Sequence, residues 1–356
     1  MQYFRSSFLF TILCLGIGAW LGWTTTGTLV GTLGILWIIL VLGVLETSLS
    51  FDNAVVNASV LGGMTPVWRK RFLTWGILVA VFGMRIVFPL AIVAIAAGLD
   101  PLSALTLAVE QPAEYERILT GAHIGIAGFG GAFLGMVGLT FFLDEEKDTH
   151  WIGILEAPIG RLSGVSGLSL ALVLLALIGV SQLLDAQDVV TFIVAGLFGL
   201  IAYVAVDGVG DVIGGGDGDG AAIARAGLAG FLYLELLDAS FSFDGVIGAF
   251  ALSNNLFIIA LGLGIGAMFV RSMTVMLVEK GTLAEYRFLE HGAFYAITAL
   301  AAIMLLSACY EIPETITGLI GAGLIGLAFV SSLFGKDEEP GEPAFAGAVT
   351  PSGEKL

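Results

Sequence analysis

Ten stretches of this sequence are apolar over the length of a bilayer crossing, and that repetition restricts the chain to a helical membrane fold. A helical crossing takes about 20 apolar residues, because the hydrocarbon offers no water to the backbone and each N–H and C=O must bond within the helix. The runs lie at 8–23, 30–62, 73–98, 121–143, 167–184, 188–206, 226–252, 256–278, 291–309 and 314–334. The second is too long for a straight crossing and is expected to tilt, break or extend beyond the bilayer. Only 12% of the 356 residues are charged, against about 25% in soluble proteins. Glycine pairs at four-residue spacing, Gly131/Gly135 and Gly262/Gly266, are expected to let helices pack closely. The N-terminal "MQYFRSSFLFTILCLGIGAWLGW" imitates a secretory signal but lacks a clean small-x-small cleavage site, and is read as the first span.

Charge placement gives an orientation. With a cytoplasmic N-terminus, eleven of the 14 Lys and Arg residues fall on inside segments, and only Arg117 falls outside. Arg85 and Arg271 lie within spans. This asymmetry predicts both termini inside. The net charge of −16 argues against nucleic acid as a partner and toward cations. Cys14 and Cys309 sit in separate apolar runs, where neither a disulfide nor a thiolate metal site is expected. The polar, Pro- and Gly-containing segment 336–356 is expected to be a disordered cytoplasmic tail.

Two pairs of segments recur in the same order. "LETSLSFDN" at 45–53 matches "LDASFSFDG" at 237–245, and "AEYERILTGAH" at 113–123 matches "AEYRFLEHGA" at 284–293. The matches divide the membrane part into a first repeat, 1–185, and a second, 186–335. Five helices per unit is an odd number, so the second repeat is expected to be inverted. The predicted class is thus an all-α polytopic membrane protein of ten helices in two inverted repeats. Secondary transporters of this plan place their substrate sites near the midplane, where the repeats meet.

The first matched pair also places acid inside apolar runs. Glu46, Ser50, Asp52 and Asn53 lie in the first copy, and Glu235, Asp238, Ser242 and Asp244 in or beside the second. An Asp near the bilayer centre costs about 2.5–3.5 kcal/mol, so an uncompensated group of four or five costs on the order of 10 kcal/mol. Arg85 and Arg271 would tether the helices or balance part of the charge, and protons or a bound cation would supply the rest. Glu46 and Asp52 are about 120° apart around a regular helix, and a local break would let both face one site. The donors are all oxygen, which suits Mn2+, Mg2+ or Ca2+ better than zinc or copper. His123 and His291 are expected at opposite faces of the membrane as interfacial or gating residues, and His150 in a solvated cytoplasmic loop. The acidic runs "DEEKD" and "GGGDGDG" are also read as solvated.

The duplicated acidic Ser-x-Ser-Phe-Asp motif resembles that of the TerC-type integral membrane family, in its long form similar to the domain-of-unknown-function 475 group. That family is in turn similar in plan to the lysine-exporter-like transporters. The resemblance covers most of 30–330. It implies manganese export, an association with tellurium resistance, and Glu46, Asp52, Asp238 and Asp244 as the metal positions. The second copy replaces Asn53 by Gly245 and Glu46 by Asp238, so the two halves of such a site are not chemically equivalent.

Moving a divalent cation out against 100 mV costs about 4.6 kcal/mol. The sequence carries no nucleotide-binding motif, so the expected mechanism is metal/proton antiport by alternating access in a prokaryotic inner membrane, with no permanent cofactor. Two rival readings stand beside it. One is a non-transporting scaffold of a stress- or tellurium-resistance complex. The other is an intramembrane aspartyl protease built on Gly208-Val209-Gly210-Asp211, although that motif falls in a glycine-rich acidic segment.

Overall fold

The computed structural model describes residues 3–334 apart from 145, 146, 148, 161, 163, 164, 166 and 215–224. The side chains at 73, 77, 209–214, 225, 226, 242–244, 284 and 314 are also outside the description. The tail expected at 336–356 therefore lies outside the described residues. Among those described, the chain forms helices and short connections and no strand.

Helices α1 (Arg5–Thr26) and α2 (Leu29–Leu49) form a hairpin. Gly27 takes the left-handed conformation that closes α1 (φ 61°), and the Thr28 hydroxyl opens α2 by accepting the Gly31 N–H. After Ser50 comes α3 (Phe51–Gly63), then α4 (Pro66–Leu78). The chain continues through a π-helical stretch, Val79–Val87, into α5 (Phe88–Ala97). The Phe88 N–H bonds to Gly83 O, five residues back. Pro89, next in line, has no N–H with which to restore the tighter turn.

Two short helices, α6 (Pro101–Glu110) and α7 (Pro112–Gly121), each open on proline and lead to α8 (His123–Phe142). The remainder is α9 (Gly153–Gly160), α10 (Leu168–Ser181), α11 (Val189–Gly214), a π-helical turn at Arg225–Ala229, α12 (Gly230–Phe250) and α13 (Leu256–Glu279). It closes with α14 (Thr282–Glu285), α15 (Leu289–Ser307) and α16 (Glu314–Phe334).

Among the described residues, eight helices are long and apolar enough to cross a bilayer, and the chain is an integral membrane protein. The two other expected spans differ from these for separate reasons. The α10 helix has 14 residues, about 21 Å of rise against a hydrocarbon core of about 30 Å. The α12 helix has 21 residues, enough for the full thickness, but carries Glu235, Asp238 and Asp244. The over-long run at 30–62 is resolved by a break at Ser50 (φ −99°, ψ 24°), between α2 and α3.

Helices α8, α13 and α15 are mostly buried, whereas α1 and α16 are mostly exposed. Leu9, Trp20, Val30 and Ile95 belong to the apolar outer surface, which is the surface lipid covers. The α8 and α15 helices run antiparallel: Gly131 faces Leu305 and Gly138 faces Thr298, while Phe141 stacks on Phe294 at 3.8 Å. Each helix carries a histidine near its N-terminus that meets the far end of the other. His123 Nε2 is 3.4 Å from the Ser307 hydroxyl. The His291 ring meets Phe141 edge-on at 5.4 Å, its Nε2 lying 2.7 Å from the Thr149 carbonyl in the segment after α8.

Candidate functional site

The break at Ser50 has a local cause. Thr47 and Ser48 turn their hydroxyls back onto the Gly43 and Val44 carbonyls, both at 2.7 Å, a competition that loosens a helix. Ser50 N–H still reaches Glu46 O and closes α2. The new helix then starts with Asp52 in its first turn, where Oδ1 accepts the Asn53 N–H at 2.9 Å. A carboxylate is favoured at that end of a helix, because the first N–H groups have no intrahelical partner.

Glu46 occupies the last turn of α2 and is buried. Its Cβ and Cγ take the space that a side chain on Gly266 of α13 would need. One carboxylate oxygen, Oε1, forms an ion pair with Arg85 Nη2 and accepts from the Ser50 hydroxyl at 3.3 Å. The other, Oε2, is 3.0 Å from the position a Cβ would take on Gly245. The exchange of Asn53 for Gly245 between the two motif copies therefore has a steric reason: the second copy leaves room for the acid of the first. Arg85 comes from the π-helical stretch and is itself buried.

Two cavities meet at Glu46. The larger, about 110 Å3, is lined by Glu46, Ser50, Asp52, Asn53, Gly245 and Thr317, among others. The smaller, about 40 Å3, shares Glu46, Ser50 and Asn53 and adds Asn57, Arg85, Glu235, Asp238 and Arg271. One water takes roughly 10–15 Å3 on such a measure, so the larger space fits a partly hydrated ion and the smaller a few waters. Several buried polar atoms around the smaller cavity have no hydrogen-bond partner among the described residues: Asn57 Oδ1, Glu235 Oε1, Asp238 Oδ2, and Arg85 Nε and Nη1. Such atoms are few in native interiors, and each calls for a water, an ion or a second arrangement of the site.

The expected ligands are thus divided. Glu46 and Asp52 share the larger cavity, and Glu235 and Asp238 line the smaller. Ser50 and Asn53 border both, Arg85 is bonded to Glu46, and Arg271 lines the smaller cavity. The side chains of Ser242 and Asp244 lie outside the described residues. Among those described, no three His, Cys, Asp or Glu side chains converge as a metal cage. The α16 residues Thr317 and Gly318 complete the larger cavity, and the Asp52 carboxylate packs against Gly321 of the same helix. No motif in the sequence marks them.

A second polar cluster also escaped the sequence reading. Glu156 of α9 is buried and accepts from Lys147 Nζ at 2.7 Å and from the Trp151 N–H, Ile152 N–H and Tyr295 hydroxyl, each at 3.1 Å. Lys147, expected to be solvated within "DEEKD", is instead buried and lies 4.6 Å above the rings of both Phe141 and Phe142. His150 Nδ1 is 3.6 Å from the same carboxylate. The cluster fastens the segment after α8 onto α15.

A bundle of membrane-crossing helices around a broken, acid-bearing helix defines the class: a polytopic integral membrane protein with a polar interior site. The family described as "Protein of unknown function (DUF475)" matches residues 51–339, and the chain belongs to it. No curated protein and no solved structure matches.

Proposed function

We propose that this protein is a secondary transporter that exports a hard divalent metal ion, with manganese the expected cargo. The observation that carries the proposal is the pair Glu46 and Asp52, held on either side of a helix break and facing one cavity inside a membrane bundle. Buried carboxylates at a discontinuous helix are a recurring means of binding cations in transporters, and an intramembrane acid without use is a standing cost. Cargo binds among oxygen donors, with Asp244 contributing from the second motif copy. Release is coupled to proton uptake, since lifting a divalent charge against the membrane potential needs about 4.6 kcal/mol per 100 mV.

The proposed framework is ten helices in two inverted repeats, in the TerC-like plan and in a prokaryotic inner membrane. The antiparallel packing of α8 on α15 supports it, because these helices follow the two matched "AEY" segments. The α12 helix is read as a span whose acids are tolerated because it faces the bundle and not lipid. Manganese uptake into inverted vesicles or efflux from cells tests the proposal: Asp52→Asn and Asp244→Asn are each expected to abolish it. Normal efflux by both variants would refute the transport site. Folded variants of a protein that neither binds nor moves the ion would favour the scaffold reading.

A further inference from the structure

Arg85 is bonded to Glu46 on one side and lines the smaller cavity on the other. Among the described residues, its remaining donors, Nε and Nη1, are buried without partners, and the same cavity holds Glu235 Oε1 and Asp238 Oδ2, which likewise have none. Orphaned donors and orphaned carboxylate oxygens around one space of about 40 Å3 describe a site with a second arrangement available. In the arrangement observed, the guanidinium neutralises Glu46 and so occupies the acid that would join Asp52 in holding a cation.

We propose that Arg85 is an internal cation that exchanges with cargo. It rests on Glu46 when the larger cavity is empty and swings onto Asp238 and Glu235 when a divalent ion binds between Glu46 and Asp52. The inference rests on the reading of the larger cavity as the cargo site. It gives Asp238 and Glu235 a separate task, receiving the displaced arginine. The Glu46–Arg85 pair then divides the two cavities, and a cation joins Glu46 only by releasing it. Arginine suits the task because it stays charged and its planar fork offers donors to two partners at once. Glu46 keeps a cationic partner in both arrangements, which limits the desolvation cost of either.

The test is equilibrium binding of Mn2+ to the purified full-length chain by titration calorimetry. Wild type is expected to bind and Asp52→Asn to lose binding. Arg85→Gln leaves Glu46 free without a competitor and is expected to bind Mn2+ at least ten-fold tighter. Asp238→Asn is expected to weaken binding in wild type, yet to have no effect in the Arg85→Gln background, where no arginine needs a place to go. An Arg85→Gln affinity no tighter than wild type overturns the exchange while leaving the cation site standing. So does an Asp238→Asn penalty that persists in the double variant, since Asp238 then touches cargo directly. Absence of Mn2+ binding to wild type overturns both. If Arg85→Gln is not monodisperse, Arg85→Lys carries the test: its shorter, single-point ammonium should raise affinity several-fold, and an unchanged affinity refutes the exchange.

Discussion

Single residues here answer to their neighbours more than to their own type. Glu156 lies in a short helix outside the spans, in a stretch with no motif, yet it collects four donors. Burial by itself pushes its carboxyl up, but the Lys147 ammonium and the Ile152 N–H outweigh that and hold it below the ordinary carboxylate range. A depressed folded-state value means stability gained above the unfolded carboxylate pKa, about 4.3, and lost as pH falls through the folded value. Glu156→Gln leaves Lys147 buried without its counter-ion and should cost about 3–5 kcal/mol near neutral pH. Melting temperatures of wild type and variant should therefore converge as pH drops below about 4. A gap constant down to pH 3 would show that the ion pair contributes nothing to folding.

At the scale of elements, the glycines of α13 decide how closely it approaches α2. Gly262 faces Leu42 and Gly266 faces Glu46, so a methyl group at either position enters occupied space. Gly266→Ala is expected to lose about 1–3 kcal/mol through overpacking and to dislodge Glu46. Gly34, in α2, has open space around its missing Cβ, and Gly34→Ala should be neutral or stabilising by up to about 1 kcal/mol. Thermal unfolding in detergent compares the two, and equal melting temperatures would show that the α2–α13 contact does not position Glu46. The four-residue spacing was visible in the sequence; which side chain each glycine admits was not. The over-long apolar run likewise announced an irregularity, and the serines and threonine around Glu46 supplied the place for it. The π-helical stretch that aims Arg85 left no such signal.

At the scale of the molecule, the number of crossings fixes which face each loop occupies. With ten crossings and a cytoplasmic N-terminus, Gln187 lies outside; with only the eight long apolar helices crossing, it lies inside. A Gln187→Cys variant on a Cys14→Ser, Cys309→Ser background should be labelled by an impermeant maleimide added to intact cells. Protection of that cysteine until the membrane is opened would refute the ten-helix inverted plan. The sequence by itself determined the membrane class, the runs, the doubled acidic motif and its glycine-for-asparagine exchange, because apolar length and buried charge are properties local to a segment. Only the tertiary structure decided that Glu46 of one motif lies over Gly245 of the other, that Arg85 holds it, that α16 closes the larger cavity, and that the expected ligands line two cavities instead of one. Those outcomes depend on the axial register and rotation of helices far apart in the chain, and inter-helix packing, which apolar periodicity does not encode, sets both.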